Sequence, residues 1–154
     1  MRQIFLAIIS GFLFSLSFPR PSLWPFAFIA LVPFFYVIDK ASKNQHRFLY
    51  GAIWAVVMAG AMGHWMFIAL CQHYGLGWGK AGVFFLVCLV MPLVFLYGVF
   101  SLAYGFFKRD RWIFFAAVLP SLWVVAESLK ALLPGLIPWG NIAYAVMPFA
   151  DFVQ

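Results

Sequence analysis

A chain of 154 residues has room for one domain. Only 9% of it is charged while 66% is hydrophobic and 21% aromatic, which excludes a soluble fold clothed in charge and equally excludes disorder. The net charge of +6 is gathered in polar gaps between apolar runs, the pattern of membrane loops and not of a basic nucleic-acid face.

Five apolar runs follow in order: Ile4–Phe18, Leu23–Ile38, Phe48–Gln72, Ala81–Phe107 and Trp112–Leu133. At a helical rise of about 1.5 Å per residue the third and fourth are long enough to cross a hydrocarbon core of about 30 Å. The first two reach only about 22–24 Å by the same rise and predict a thin-spanning helical pair. Their connector, Phe18-Pro-Arg-Pro-Ser-Leu-Trp-Pro25, is too rich in proline to continue a helix. The sequence thus predicts an all-α, polytopic membrane bundle of about five transmembrane helices.

Orientation follows from the ten Lys and Arg residues. With the N-terminus inside, Arg2, Lys40, Lys43, Arg47, Lys108, Arg109 and Arg111 are cytoplasmic, and Arg20, Lys80 and Lys130 are not. The first run also has the features of a signal peptide, with Ser15-Leu16-Ser17 as a small-x-small site. Pro19 and the apolar chain beyond it favour a retained helix.

Within the third run Gly51, Ala55, Ala59 and Gly63 recur every four residues, a stripe that permits close helix packing. Pro92 and Pro120 interrupt the fourth and fifth runs and predict kinks there. Cys71 and Cys88, the only thiols, are not expected to be nucleophiles. His64 and His73 have no carboxylate or Cys at ligand spacing, so no metal or other cofactor is expected.

Candidate functional residues lie late in the chain. Trp123, Glu127 and Lys130 share one helix face by their +4 and +3 spacing. Ionisable residues in a span usually face protein or water. The pair reads either as an intrahelical Glu–Lys pair with Lys130 snorkelling, or as an outward polar site for a lipid headgroup or a docked domain. His64 falls at a similar depth, where a packing histidine is the plainer reading. The last stretch, Pro134 to Pro148, breaks the helix with Gly and Pro yet stays apolar. It suits an interfacial loop anchored by Trp139 and Tyr144, the segment expected to touch a substrate.

These motifs, in this order, resemble the N-terminal membrane domain of apolipoprotein N-acyltransferases. The resemblance is carried by Phe18-Pro19…Leu23-Trp24-Pro25, the basic loop, and the Gly-rich third span with His64-Trp65. It continues through Pro120-Ser-Leu-Trp123…Glu127-Ser-Leu-Lys130 and Pro138-Trp139…Ala143-Tyr144, so that it runs from about Gly11 to Gln154. It implies a bacterial inner-membrane enzyme, multi-pass with a cytoplasmic N-terminus. Such an enzyme moves an acyl chain from a phospholipid to the N-terminal S-diacylglyceryl-cysteine of an apolipoprotein. The chemistry belongs to a Glu-Lys-Cys triad in a nitrilase-like domain on the outer side. Lys130 stands where the family typically has Arg, and Ile137 where Phe often precedes Pro-Trp. Residues 1–154 therefore read as the membrane domain alone, with the nitrilase-like domain and its triad absent, so that this chain by itself is expected to be inactive.

On this reading His64, Trp123, Glu127, Lys130 and Trp139 are the expected substrate-binding residues and none is catalytic. The expected partners are the phospholipid acyl donor, the apolipoprotein and the bilayer, with no nucleic acid. Two other readings are a membrane anchor for a separate enzyme, such as a polyprenol-phosphate mannose synthase, and a small transporter. Against the transporter stand the lack of an inverted repeat and of a ring of intramembrane charges.

Overall fold

The computed structural model describes residues 1–18, 23–107, 111–132, 140–145 and 147, all helix, turn or connecting segment with no strand among them. Helix α1 (Arg2–Leu16) leads through a turn at Leu23–Pro25 into α2 (Phe26–Ile29) and α3 (Leu31–Lys40). Helix α4 (Asn44–Gln72) follows after three residues, then α5 (Trp78–Phe85) and α6 (Met91–Phe107). Helix α7 (Arg111–Ile113) and α8 (Leu119–Leu132) complete the spans, and Ile142–Ala145 forms a 3₁₀ turn. Pro19, Arg20, Lys108, Arg109 and the Pro134–Trp139 stretch lie outside the described residues.

Among the described residues three stretches are long and apolar enough to cross a membrane: Asn44–Gln72, Trp78–Phe107 and Phe114–Leu132. The 15-residue α1 and the α2–α3 rod are shorter, as the two short runs require. The second run is a helix divided at Ala30, whose carbonyl accepts a hydrogen bond from Ser10 Oγ. Successive helices run antiparallel, so α1, α4 and α8 point one way, towards what is called here the distal end.

The prolines of the two later spans are accommodated by a widened turn. Pro92 and Pro120 have no N–H to give to the carbonyl four residues back. In each case the preceding residue donates five residues back instead, Met91 N–H to Leu86 O and Leu119 N–H to Phe114 O. Leu86–Val90 and Phe114–Val118 are accordingly π-helical, which lets each span continue through its proline.

The small-residue stripe packs inward as its spacing implies. Gly51, Ala55, Ala59 and Gly63 are all buried. A Cβ added at Gly51 would fall on the Tyr97 carbonyl and Ser101 Oγ of α6, while one at Gly63 would meet Phe85 at 3.2 Å. Those contacts fix the register of α4 against the descending α5–α6 rod.

The core is a stack of aromatic rings where α1, α3, α4, α6 and α8 converge. Trp54 is its centre, 4.8 Å from the Tyr97 ring, 4.9 Å from Phe34 and 5.2 Å from Phe14. Its indole Nε1 donates to Ser10 Oγ at 3.1 Å, so one hydroxyl ties α1, the α2–α3 junction and α4 together. At the opposite end Tyr104 Oη donates to Asp39 Oδ1 at 3.0 Å and joins α6 to α3. Cys71 and Cys88 are free thiols.

Candidate functional site

The site is built on the distal half of α8. The π turn at Phe114–Val118 absorbs the N–H missing at Pro120, and the helix then runs unbroken to Leu132. Spacings of +4 and +3 carry Trp123, Glu127 and Lys130 up one face.

Trp123 forms the floor. It is 7% exposed, with its ring 5.5 Å from Phe100, 5.9 Å from Tyr97 and 6.2 Å from Phe14. It is thus a core ring, and its Nε1, like the Tyr97 hydroxyl, has no hydrogen-bond partner among the described residues. The Phe35 and Trp54 rings stand edge-on to it, with centroids 6.0 and 6.1 Å away.

One and two turns higher, both charged residues turn to the segment that follows in sequence. Glu127 Oε1 accepts the backbone N–H of Ile142 at 2.8 Å. Lys130 is 2% exposed, and its Nζ donates to the carbonyl of Gly140 at 3.1 Å. Neither sequence-based alternative describes Lys130: it does not snorkel, and it points to a backbone carbonyl rather than outward. Burial of an ammonium is tolerable because the carboxylate one turn below offsets its charge and a carbonyl accepts a hydrogen bond from it.

Gly140 is held in a third way. Its φ is +71°, the left-handed region that favours glycine, and a Cβ there would strike the methyl of Met62 on α4. The segment therefore rests on α4 and is bonded to α8 at two points. Beyond it Tyr144 N–H donates to Asn141 O at 2.9 Å, and the Tyr144 side chain is 37% exposed. Asn141 Oδ1 is buried beside the clamp with no partner among the described residues.

Of the five predicted site residues, Glu127 and Lys130 meet at one segment and Trp123 lies beneath them. His64 does not join them. It is exposed on α4, where Nδ1 lies 2.8 Å from the Ala61 carbonyl one turn back. Trp139 lies outside the described residues and is the chain neighbour of the clamped Gly140. Sequence reasoning missed Met62 and the receiving groups at Gly140 and Ile142, because backbone acceptors and donors leave no mark in side-chain type. The Gly directly after Pro138-Trp139 was the one available signal.

No group of three or more His, Cys, Asp or Glu able to hold a metal occurs among the described residues. What the arrangement does is position a loop: a half-buried carboxylate and a buried ammonium fix two backbone groups two residues apart.

Comparison with known proteins gives the same family as the motif order. The family model for the apolipoprotein N-acyltransferase N-terminal domain matches residues 10–154. Among curated relatives, an apolipoprotein N-acyltransferase of Geobacter metallireducens is 25% identical over 99% of this chain. Another, from Wigglesworthia glossinidia brevipalpis, is 21% identical over 94%. The chain spans 29% of the length of each of these relatives.

Proposed function

Because the chain belongs to the apolipoprotein N-acyltransferase N-terminal domain family, we propose that it is the membrane part of an enzyme that acylates apolipoproteins from phospholipid. The acyl group would pass to the N-terminal S-diacylglyceryl-cysteine, with the chemistry carried out in a nitrilase-like domain through its Glu-Lys-Cys triad. The part of this chain is to seat that reaction at the bilayer of the bacterial inner membrane. With the basic gaps cytoplasmic, the distal end faces outward, the side on which the family's catalytic domain lies.

The observation that carries the proposal is the clamp on Gly140 and Ile142. A buried ammonium and a half-buried carboxylate are committed to the loop that follows Pro138-Trp139, a use of binding energy that suits a substrate-bordering element. In this reading Glu127 and Lys130 are positioning residues and Trp139 borders the lipid entrance.

The test is acylation by a full-length polypeptide carrying this domain, with a diacylated lipoprotein acceptor and phosphatidylethanolamine donor. Lys130→Met and Trp139→Ala are expected to cut turnover at least several-fold while the protein remains folded by circular dichroism. Lys130→Arg is expected to retain activity. Unchanged turnover in both disruptive variants would overturn the assignment of the loop.

A further inference from the structure

The helices of the bundle are level at one end and stepped at the other. Gly11 of α1 lies directly against Trp54 and Val57 of α4, with a built Cβ 2.8 Å from the Trp54 carbonyl and 3.1 Å from Val57 Cβ. From that crossing α1 runs back about 13 Å to Arg2, and the same distance on α4 returns to within a turn of Asn44. Forward, α1 ends at Leu16 after about 8 Å, level with about residue 60 of α4, whereas α4 continues for roughly another 17 Å.

The α2–α3 rod shares the shortfall. Leu23 N–H bonds to Leu16 O at 3.1 Å, so the hairpin turns back at that height, and Phe26–Lys40 is only about 22 Å long at helical rise. A hydrocarbon core is about 30 Å thick, so the hairpin falls short of it by about 8 Å on the distal side.

Above the hairpin, α4 presents the continuation of the stripe that packs on α1 lower down. Trp54 and Val57 face α1, and at +4, +3 or +4, and +3 beyond Val57 come Ala61, His64, Trp65 and Ile68. Trp65 and Ile68 are 48% and 45% exposed and His64 is exposed, since α1 no longer covers them. His64 is moreover oriented. A carbonyl oxygen only accepts, so Nδ1 donates to Ala61 O and Nε2 is turned away from its own helix.

An imidazole held in this way does not suit hydrocarbon, and a short hydrophobic hairpin is accommodated by thinning of the bilayer. From these two observations we propose that the step is a seat for phospholipid headgroups. One leaflet dips over the α1–α3 hairpin, and His64 on the wall of the step accepts a hydrogen bond from a headgroup donor. The proposal rests on helix lengths and on His64 alone, so it stands or falls separately from the acyltransferase reading.

The test compares two sides of the molecule at one height in the purified chain. Gly63 packs on Phe85 and Leu89, so Leu86 and Val87, each 53% exposed on the far side, lie level with residues 61–64. With Cys71 and Cys88 replaced by Ala, nitroxides are placed singly through Ala61→Cys, His64→Cys, Leu86→Cys and Val87→Cys. The probes are nickel-EDDA and molecular oxygen, in phosphatidylcholine bilayers of 18-carbon chains. Residues 61 and 64 are expected to show a several-fold higher nickel-to-oxygen accessibility ratio than 86 and 87. The difference should shrink in 14-carbon bilayers, whose thickness approaches that of the hairpin. Equal ratios on both sides would overturn the thinning. Shielding of 61 and 64 from both reagents would overturn it as well, because a protein surface, such as a second copy of the chain, would then cover the step. In the unaltered sequence, ¹⁵N NMR of the His64 Nε2 should shift when phosphatidylethanolamine replaces phosphatidylcholine, and a constant shift would remove the headgroup contact.

Discussion

Two glycines on one helix should respond to the same substitution with opposite signs. Gly51 and Gly60 both lie within α4, and Gly→Ala at an unobstructed helical site gains up to about 1 kcal/mol from propensity. At Gly60 nothing lies within 4 Å of the added Cβ, so that gain should be realised in full. At Gly51 the methyl would overlap the Tyr97 carbonyl oxygen, come within 2.9 Å of its carbon and meet Ser101 Oγ. Ser101 cannot swing aside freely, because its hydroxyl is bonded to the same Tyr97 carbonyl at 2.8 Å. Relief requires α6 to withdraw, and forced overpacking of this kind costs about 1–3 kcal/mol. Because the propensity gain is common to both variants, the difference between them isolates the clash. Gly51→Ala should therefore be less stable than Gly60→Ala by about 1–3 kcal/mol, measured by reversible unfolding in dodecylmaltoside micelles titrated with SDS. Equal stability would refute the close approach of α4 and α6, and with it the reading of the small-residue stripe as a packing seam.

The other polar contacts give predictions of the same kind. Ser10→Ala removes both the bond to Ala30 O and the acceptor for Trp54 Nε1, and should destabilise the bundle by about 1–3 kcal/mol through orphaned buried groups. The same unfolding titration reads it, and a change below a few tenths would show that the hydroxyl does not join the helices. Tyr104→Phe breaks the bond to Asp39 and should cost about 0.5–1.5 kcal/mol, whereas Tyr97→Phe should be neutral or stabilising, since its hydroxyl has no partner among the described residues. A larger loss at Tyr97 than at Tyr104 would contradict both assignments. Lys130→Met should release Gly140 and raise the rate of proteolytic nicking within residues 140–145, and an unchanged nicking rate would mean that Glu127 and Met62 hold the segment unaided.

How far the fold could be read from residues depended on whether the deciding partner was a side-chain pattern or a backbone group. Membrane character, the short first pair of helices and the inward stripe at Gly51, Ala55, Ala59 and Gly63 all follow from spacing and length, and spacing survives folding. The prolines were legible as disturbances but not in form. Pro92 and Pro120 announce a missing N–H, yet only the structure shows the preceding residue reaching five back and absorbing the defect as a π turn. At the site, helix periodicity placed Trp123, Glu127 and Lys130 on one face correctly, but it could not separate depth from orientation. His64 is exposed and bonds back to Ala61 of its own helix, whereas Met62, two residues earlier, is the α4 side chain that meets Gly140.

The same limit explains why the step in the bundle went unread although its cause was visible. Two runs of about 22–24 Å predict a thin pair, but their consequence depends on which part of a longer helix they abut. That information lies in the Gly11–Trp54 crossing and the Ser10 bridge, which fix α1 against the first half of α4 and leave the second half uncovered. Had α1 crossed at residue 63 instead, the bundle would be flush at the distal end, and His64 would be a packing residue. A glycine in an apolar run marks where two helices touch, and the position of that contact along the longer helix then decides which of its residues meet lipid, headgroup or protein.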